Sequence, residues 1–253
     1  MAGGIAGLAA ATSRRRGGER KAMSEGPSDT SASYYAAKLS GERLRRCYEL
    51  ASPRVRQYLD AEISFVLSRL TDADDVLELG CGYGRVAREL ARVAKRVVGI
   101  DTSLRSLELA RALEDPSRDC TYLQMDASEM TFDDAEFDAV VCVQNGICAF
   151  RVDSAALLLG ALRVLRPGGR ALVSTYAREF WPERLDWFRA QAEAGLVGEI
   201  DEEASGDGTI VCKDGLRLGM LSVEDLVALG KTVGVRPEIE EIDGSSVFGI
   251  WVR

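Results

Sequence analysis

Histidine is absent from all 253 residues. The commonest general base and a frequent metal ligand are therefore missing, and any chemistry falls to carboxylates, tyrosine, cysteine, lysine, arginine, backbone groups or a cofactor. The six cysteines, Cys47, Cys81, Cys120, Cys142, Cys148 and Cys212, form no C-x-x-C pair, so a zinc site or a thioredoxin-type redox pair has little support. No apolar run approaches the roughly 20 residues of a membrane span. Acidic residues outnumber basic ones 40 to 32, a formal charge of −8. Such a surface repels phosphate backbones and argues against a nucleic-acid partner. Scattered cysteines without a secretion signal fit a reducing cytoplasm. What is present is ordinary for a globular protein, 46% apolar and 28% charged, and the length suits one α/β domain with a small cap.

Residues 1–32 are small, rich in glycine and serine, and aperiodic, which predicts a disordered tail. Through Lys21 this tail carries five basic residues against one acid, so the acidic excess lies in the rest of the chain. The basic run follows the Ala/Gly stretch, the reverse of a secretory signal, and Met23 is an alternative start to Met1. From Ser33 the pattern turns helical: "YYAAKLSGERLRRCYELA" and "SPRVRQYLDAEISFVLSRL" space apolar residues by three and four. Ser52-Pro53 offers an N-cap and first helical position for the second stretch. Residues 33–71 are expected to form an N-terminal helical lid, and 72–253 the main domain.

In that domain strands are predicted near 76–79, 96–100, 121–124, 138–143 and 170–175, and helices near 84–94, 103–113, 153–165 and 179–194. "VVGI" and "AVVCV" are almost wholly apolar, as in a parallel sheet buried on both faces. The alternation points to a doubly wound α/β sheet. A cap or hairpin insertion is expected over about 179–220, then a helix capped by Ser222. Two strands, "PEIEEI" and "SVFGIWV", follow, joined by Asp243-Gly244.

The first strand opens "VLELGCGYGR". Bare glycines between a strand and a helix let a ligand approach the main chain, and the helix start adds free N–H donors. The nicotinamide or flavin fingerprint G-x-G-x-x-G would need glycine at 85, where Arg85 stands; the spacing here is G-x-G-x-G. Asp101 closes the second strand, where a carboxylate suits ribose hydroxyls, or merely caps the next helix. Asp126 closes the third, where it suits an adenine amine. The fourth ends in Gln144-Asn145-Gly146. Ligands of open α/β sheets bind beyond the carboxyl ends of the strands, and Glu78, Asp101, Asp126 and Gln144 fall there on consecutive strands.

On "VLELGCGYGR", "VVGIDTS", "MDASEM", "FDAVVCV" and "LRPGGRALVST", the chain resembles the class I S-adenosylmethionine-dependent methyltransferases over roughly residues 72–177. The resemblance implies a Rossmann-like, mainly parallel seven-stranded sheet whose last strand is antiparallel. It implies S-adenosyl-L-methionine as cofactor, left as S-adenosyl-L-homocysteine. It implies Gly80, Gly82 and Gly84 at the methionine and ribose, and Glu78 at the amino end or supporting the loop. Asp101 would take the ribose, Asp126 with Ala127 the adenine, and Gln144 and Asn145 the reacting edge. In-line methyl transfer draws much of its acceleration from alignment, which tolerates the lack of histidine.

Family members that methylate nucleic-acid or glutamine nitrogens often carry an Asn/Asp-Pro-Pro-aromatic run after strand four, where "QNGI" stands here. A small-molecule acceptor is the main expectation. One alternative is a thiol or arsenite acceptor approached by Cys47, Cys148 and Cys212, against the ordinary reading of cysteine as a small buried hydrophobe. Another is a cofactor-binding module without catalysis. In "YYAAKLS", Tyr34 and Lys38 share a helix face and Tyr35 lies about 100° round. One tyrosine is expected inward and the other at the surface. Tyr35 is taken as the residue facing the sulfonium, with Asn145 as the second catalytic candidate.

Overall fold

The computed structural model describes residues 31–150 and 152–253. The expected tail lies outside the described residues, except that 31 and 32 already belong to the first helix. Three helices come first: α1 (Ser31–Lys38), α2 (Glu42–Glu49) and α3 (Pro53–Leu67). The first two were expected as one. They part at Gly41, whose φ is +57° and whose N–H donates to Ser106 Oγ at 3.0 Å. A Cβ there would meet the Arg105 side chain at 2.8 Å, so the break lets the chain press onto the domain. Ser52 caps α3 by accepting from Val55 N, with Pro53 at the first position.

The alternation then runs β1 (Asp75–Leu79), α4 (Arg85–Leu90), β2 (Arg96–Asp101), α5 (Leu104–Ala112), β3 (Cys120–Gln124), β4 (Phe137–Cys142), α6 (Gly146–Ala149), α7 (Ser154–Val164) and β5 (Leu165–Tyr176). Next come α8 (Trp181–Glu193), the short strands β6 (Ile210–Val211) and β7 (Arg217–Leu218), α9 (Val223–Val233), β8 (Glu238–Ile242) and β9 (Ser246–Val252). The main sheet is seven-stranded in the order β3-β2-β1-β4-β5-β9-β8. β9 pairs antiparallel with both β5 and β8, as expected for the last strand. Its hairpin with β8 turns at Asp243 and Gly244, with φ of +55° and +57°, the two left-handed positions a tight Asp-Gly turn requires.

Alternate residues of each central strand enter opposite cores, which is why these strands read as unbroken apolar runs. Leu77, Val98, Val140 and Val173 pack with α7 and α9. Val76, Val97, Val141 and Leu172 pack with α3, α4 and α5. Pro167-Gly168-Gly169, just ahead of the strand predicted over 170–175, lies within β5. Leu165 pairs with Phe137 across a register shift, and Gly168 N–H donates to Arg253 O at 2.9 Å, so the ladder persists through a bulge. A third core belongs to the cap: Tyr34, Leu39 and Cys47 of the N-terminal segment pack with Phe188 and with Leu196, Ile210 and Leu218 of the late insertion. The two segments, far apart in sequence, form one layer above the carboxyl ends of the strands.

Candidate functional site

Gly80, Gly82 and Gly84 follow β1 with φ of +71°, +54° and +75°, a conformation that nearly any side chain would strain. The loop is tied to the end of β2: the N–H groups of Gly80 and Cys81 both donate to Ile100 O at 2.9 Å, and Gly82 N–H donates to Asp101 Oδ2 at 2.9 Å. Gly80 and Gly82 face a cleft; Gly84 does not line it. A Cβ on Gly84 would meet the Tyr122 ring and hydroxyl at 2.6–2.9 Å. Its bareness serves packing on β3 and the left-handed start of α4, which corrects its expected place at the ligand.

Two carboxylates of the described residues line the cleft, Asp101 and Asp126. Asp101 accepts from Gly82 N–H on one oxygen and from Ser103 N–H on the other at 2.8 Å, while Ser103, not Asp101, caps α5. Burial raises the Asp101 pKa, and the backbone donors pull the other way. Asp126 accepts from Ser128 N and Oγ on one oxygen only; Ala127 beside it is buried. After β4, Gln144 and Asn145 both hold positive φ, +57° and +58°. This conformation is braced from behind, because Gln144 N–H donates to Glu62 Oε2 at 3.0 Å and to Ser174 Oγ at 2.8 Å. Glu62 is fully buried, and its other oxygen accepts from Ser246 Oγ at 2.6 Å.

Behind the glycine loop a small polar cavity is walled by Glu78, Arg85, Tyr48 and Gln144. Glu78 Oε2, Arg85 Nε and Nη2, and Gln144 Nε2 are buried there without partners. Burial lifts the Glu78 pKa to about 8, against the pull of the Arg85 charge. Tyr48 Oη donates to Gln144 Oε1 at 2.7 Å, and its ring lies 4.9 Å from the Arg85 guanidinium.

The cap closes the cleft with Tyr35 and Leu39 from the α1 segment and Leu44 and Tyr48 from α2, opposite Ala149 and Phe150. Neither tyrosine of "YYAAKLS" stands at the surface. Tyr35 lines the cleft, whereas Tyr34 is buried and donates to Asp214 Oδ2 at 2.7 Å. Lys38 shares the Tyr34 face, its Nζ 4.9 Å from the ring. Arg43 adds bonds of 2.8 Å to the carbonyls of Gly195 and Leu196. The N-terminal helices are thus latched to the insertion.

Two expectations fail on geometry. Asn145 is buried and spends its amide on structure, donating to Gly219 O at 2.8 Å and accepting from Thr175 Oγ1 at 3.1 Å; it pins the insertion and is not among the cleft walls. Cys47, Cys148 and Cys212 do not line the cleft either. Cys47 and Cys212 sit in the cap core, and burial pushes these thiols up, to about 12 for Cys47 and Cys212 and about 11 for Cys148. Burial thus favours the neutral thiol at each of the three positions. Conversely, Arg85, Tyr48, Phe150 and Glu62 went unnoticed in the sequence. Arg85 carried a signal, standing directly after the third glycine. The other three carry none, since only the packing of distant elements brings them here. Among the described residues no cluster of His, Cys, Asp and Glu is arranged to hold a metal ion, and no helix is long and apolar enough to cross a membrane.

Residues 76–169 match the model of a family described as a methyltransferase domain. The demethylmenaquinone methyltransferase of Tropheryma whipplei is 34% identical over 109 residues, 43% of this chain and 44% of that protein. The 2-methyl-6-phytyl-1,4-hydroquinone methyltransferase of Synechocystis sp. is 28% identical over 187 residues, 64% of this chain and 58% of that one. The chain thus spans about half the length of the curated relatives it matches. Among solved structures, the 1,6-didemethyltoxoflavin-N1-methyltransferase of Burkholderia thailandensis superposes with a TM-score of 0.54 at 15% identity, over 76% of each chain, and shares the fold. The glycine loop, the acid-ended strands and the antiparallel seventh strand thus lie in one sheet of the fold these methyltransferase structures share, and residues 76–169 are similar to a methyltransferase domain.

Proposed function

We propose that the protein is an S-adenosylmethionine-dependent methyltransferase acting on a small-molecule acceptor by in-line transfer. The observation that carries this reading is the polar cavity behind the glycine loop. Its unpartnered atoms are one carboxylate oxygen, Glu78 Oε2, and the donors Arg85 Nε and Nη2 and Gln144 Nε2. A buried polar atom without a partner is costly. An amino-acid zwitterion satisfies this set, its ammonium toward Glu78 and its carboxylate toward Arg85 and Gln144. The cofactor's methionine end is such a zwitterion. Gly80 and Gly82 leave the main chain open beside it, Asp101 has lone pairs for ribose hydroxyls, and the unengaged oxygen of Asp126 suits an adenine amine.

When bound, the cofactor supplies an electrophilic methyl on a sulfonium. The protein's own part is placement. Glu62 and Ser174 hold the Gln144 backbone, and the latched cap sets Tyr35 and Tyr48 over the cleft and excludes water. Names of relatives support a small acceptor, two of them being named for demethylmenaquinone and for a phytyl hydroquinone. None of Cys47, Cys148 and Cys212 lines the cleft, and burial, complete for Cys47 and Cys212 and partial for Cys148, raises their pKa values, which argues against the thiol or arsenite reading. An acidic chain with six free cysteines suits a reducing cytoplasm, and its charge disfavours nucleic acid as substrate. Calorimetry with S-adenosylmethionine, followed by S-adenosylhomocysteine formation over a panel of small acceptors, tests the proposal. No cofactor binding refutes it. Binding without turnover on the panel favours a non-catalytic module.

A further inference from the structure

We propose that Tyr48 is a positioning residue for the cofactor: its hydroxyl turns the Gln144 amide so that Nε2 meets the cofactor's carboxylate, and this bond ties the cap to the amino-acid end of that ligand. This rests on the methyltransferase reading and assigns how the polar cavity behind the glycine loop is set to receive the zwitterion.

Gln144 is fixed at its backbone, which leaves only its tip to be set. Its φ is +57°, and its N–H is shared between Glu62 Oε2 of α3 at 3.0 Å and Ser174 Oγ of β5 at 2.8 Å. The carboxamide has two ends of opposite chemistry, an acceptor oxygen and a donor nitrogen. Tyr48 Oη donates to the oxygen at 2.7 Å. The nitrogen is thereby left for the cavity, where it is buried without a partner, as are Arg85 Nε and Nη2. Burial raises the Tyr48 pKa against the pull of the Arg85 charge, so the hydroxyl keeps the proton that it donates. Without that proton the amide is free to turn over, and its oxygen would then face a carboxylate.

Tyr48 is itself held from the cap. Its ring centroid lies 5.8 Å from that of Trp187 of α8, and Trp187 Nε1 donates to O of the adjoining Cys47 at 2.8 Å. The same ring lies 5.9 Å from that of Tyr83, which stands between Gly82 and Gly84, and 4.9 Å from the Arg85 guanidinium. One residue thus touches the cap, the glycine loop and both donor side chains of the cavity. A ligand carboxylate bonded to Gln144 Nε2 fixes the amide, and the fixed amide holds Tyr48 and with it α2. Binding at one end and closure at the other are linked, each strengthening the other by the same factor. The nucleoside half of the ligand falls to Asp101 and Asp126 at the ends of β2 and β3, so a ligand lacking the amino-acid end bypasses the link.

The test compares S-adenosylhomocysteine with methylthioadenosine, which keeps the adenosine and the sulfur but has no amino-acid end, by calorimetry on the full chain. Tyr48→Phe keeps the ring and deletes the hydroxyl. It should weaken S-adenosylhomocysteine binding about tenfold and leave methylthioadenosine binding unchanged. In a Gln144→Ala background the same substitution should cost S-adenosylhomocysteine nothing further, because the route through the amide is already gone. S-adenosylhomocysteine should also slow proteolysis of α1 and α2 in the unaltered protein, and lose most of that protection in Tyr48→Phe. Should Tyr48→Phe misfold, Gln144→Ala decides alone, and it must show the same selective loss of affinity and of protection. Equal losses for both ligands, unchanged S-adenosylhomocysteine binding, or additive losses in the double variant overturn this inference and leave the methyltransferase reading standing. An unaltered protein that binds no S-adenosylhomocysteine overturns both.

Discussion

Replacing Glu78 by glutamine should stabilise the cofactor-free protein at neutral pH and weaken its cofactor. Glu78 is 4% exposed, one of its oxygens has no partner, and burial lifts its pKa from the ordinary 4.5 to about 8. In the unfolded chain the carboxyl ionises near 4.5, so between about pH 4.5 and pH 8 the folded protein holds a proton that the unfolded chain has lost. Stability from this group is full below that window, falls as pH rises through it, and levels above about 8. At pH 7 the difference is worth roughly 3 kcal/mol against folding. Glutamine removes that loss and keeps an acceptor for the Ala87 N–H, but adds an unpaired amide donor costing about 1 kcal/mol. The net expectation is a variant more stable by about 2 kcal/mol at pH 7, with the gain fading toward pH 5. Urea unfolding of both proteins without cofactor at stepped pH reads this directly. Calorimetry should show the variant binding S-adenosylmethionine more weakly, since the ammonium loses its carboxylate. Parallel stability curves for the two proteins across the pH range would refute the buried, proton-holding carboxyl.

Three further outcomes are expected. Asp101→Ala should weaken S-adenosylmethionine binding by about 1.5–3 kcal/mol, because the ribose and the Gly82 N–H lose one charged acceptor; an unchanged dissociation constant removes Asp101 from the site. Gly82→Val should abolish binding with the far-ultraviolet circular dichroism preserved, since φ is +54° and a Cβ would already reach Leu44 at 3.0 Å; retained binding would make the loop a turn only. Tyr34→Phe deletes the bond to Asp214 and should cost the cap latch about 0.5–1.5 kcal/mol. That loss would appear as faster proteolysis between residues 31 and 45 that cofactor suppresses, and equal cleavage rates in both proteins would show that the latch holds nothing.

The central sheet could be read from the chain because its signals are local. Unbroken apolar runs such as "VVGI" have no solvated face, Ser52-Pro53 and Ser222 announce helix starts, and Asp243-Gly244 meets the two left-handed positions of its hairpin. The placing of Asp101 and Asp126 at strand ends followed from the same periodicity. Other features depended on contacts across long separations. Gly84 has the same sequence signal as Gly82, yet Tyr122 of another strand takes its open side. Asn145 follows Gln144 in the same left-handed conformation, but Thr175 and Gly219 claim its amide. Tyr34 and Tyr35 differ only by 100° of helix, and Asp214, 180 residues on, decides which of them is spent on the latch. Backbone propensity and periodicity act over a few residues and are written in the chain order. Hydrogen-bond partnership, desolvation and the field of a buried charge depend on which distant groups the fold brings within a few ångströms, and only the tertiary structure decides them.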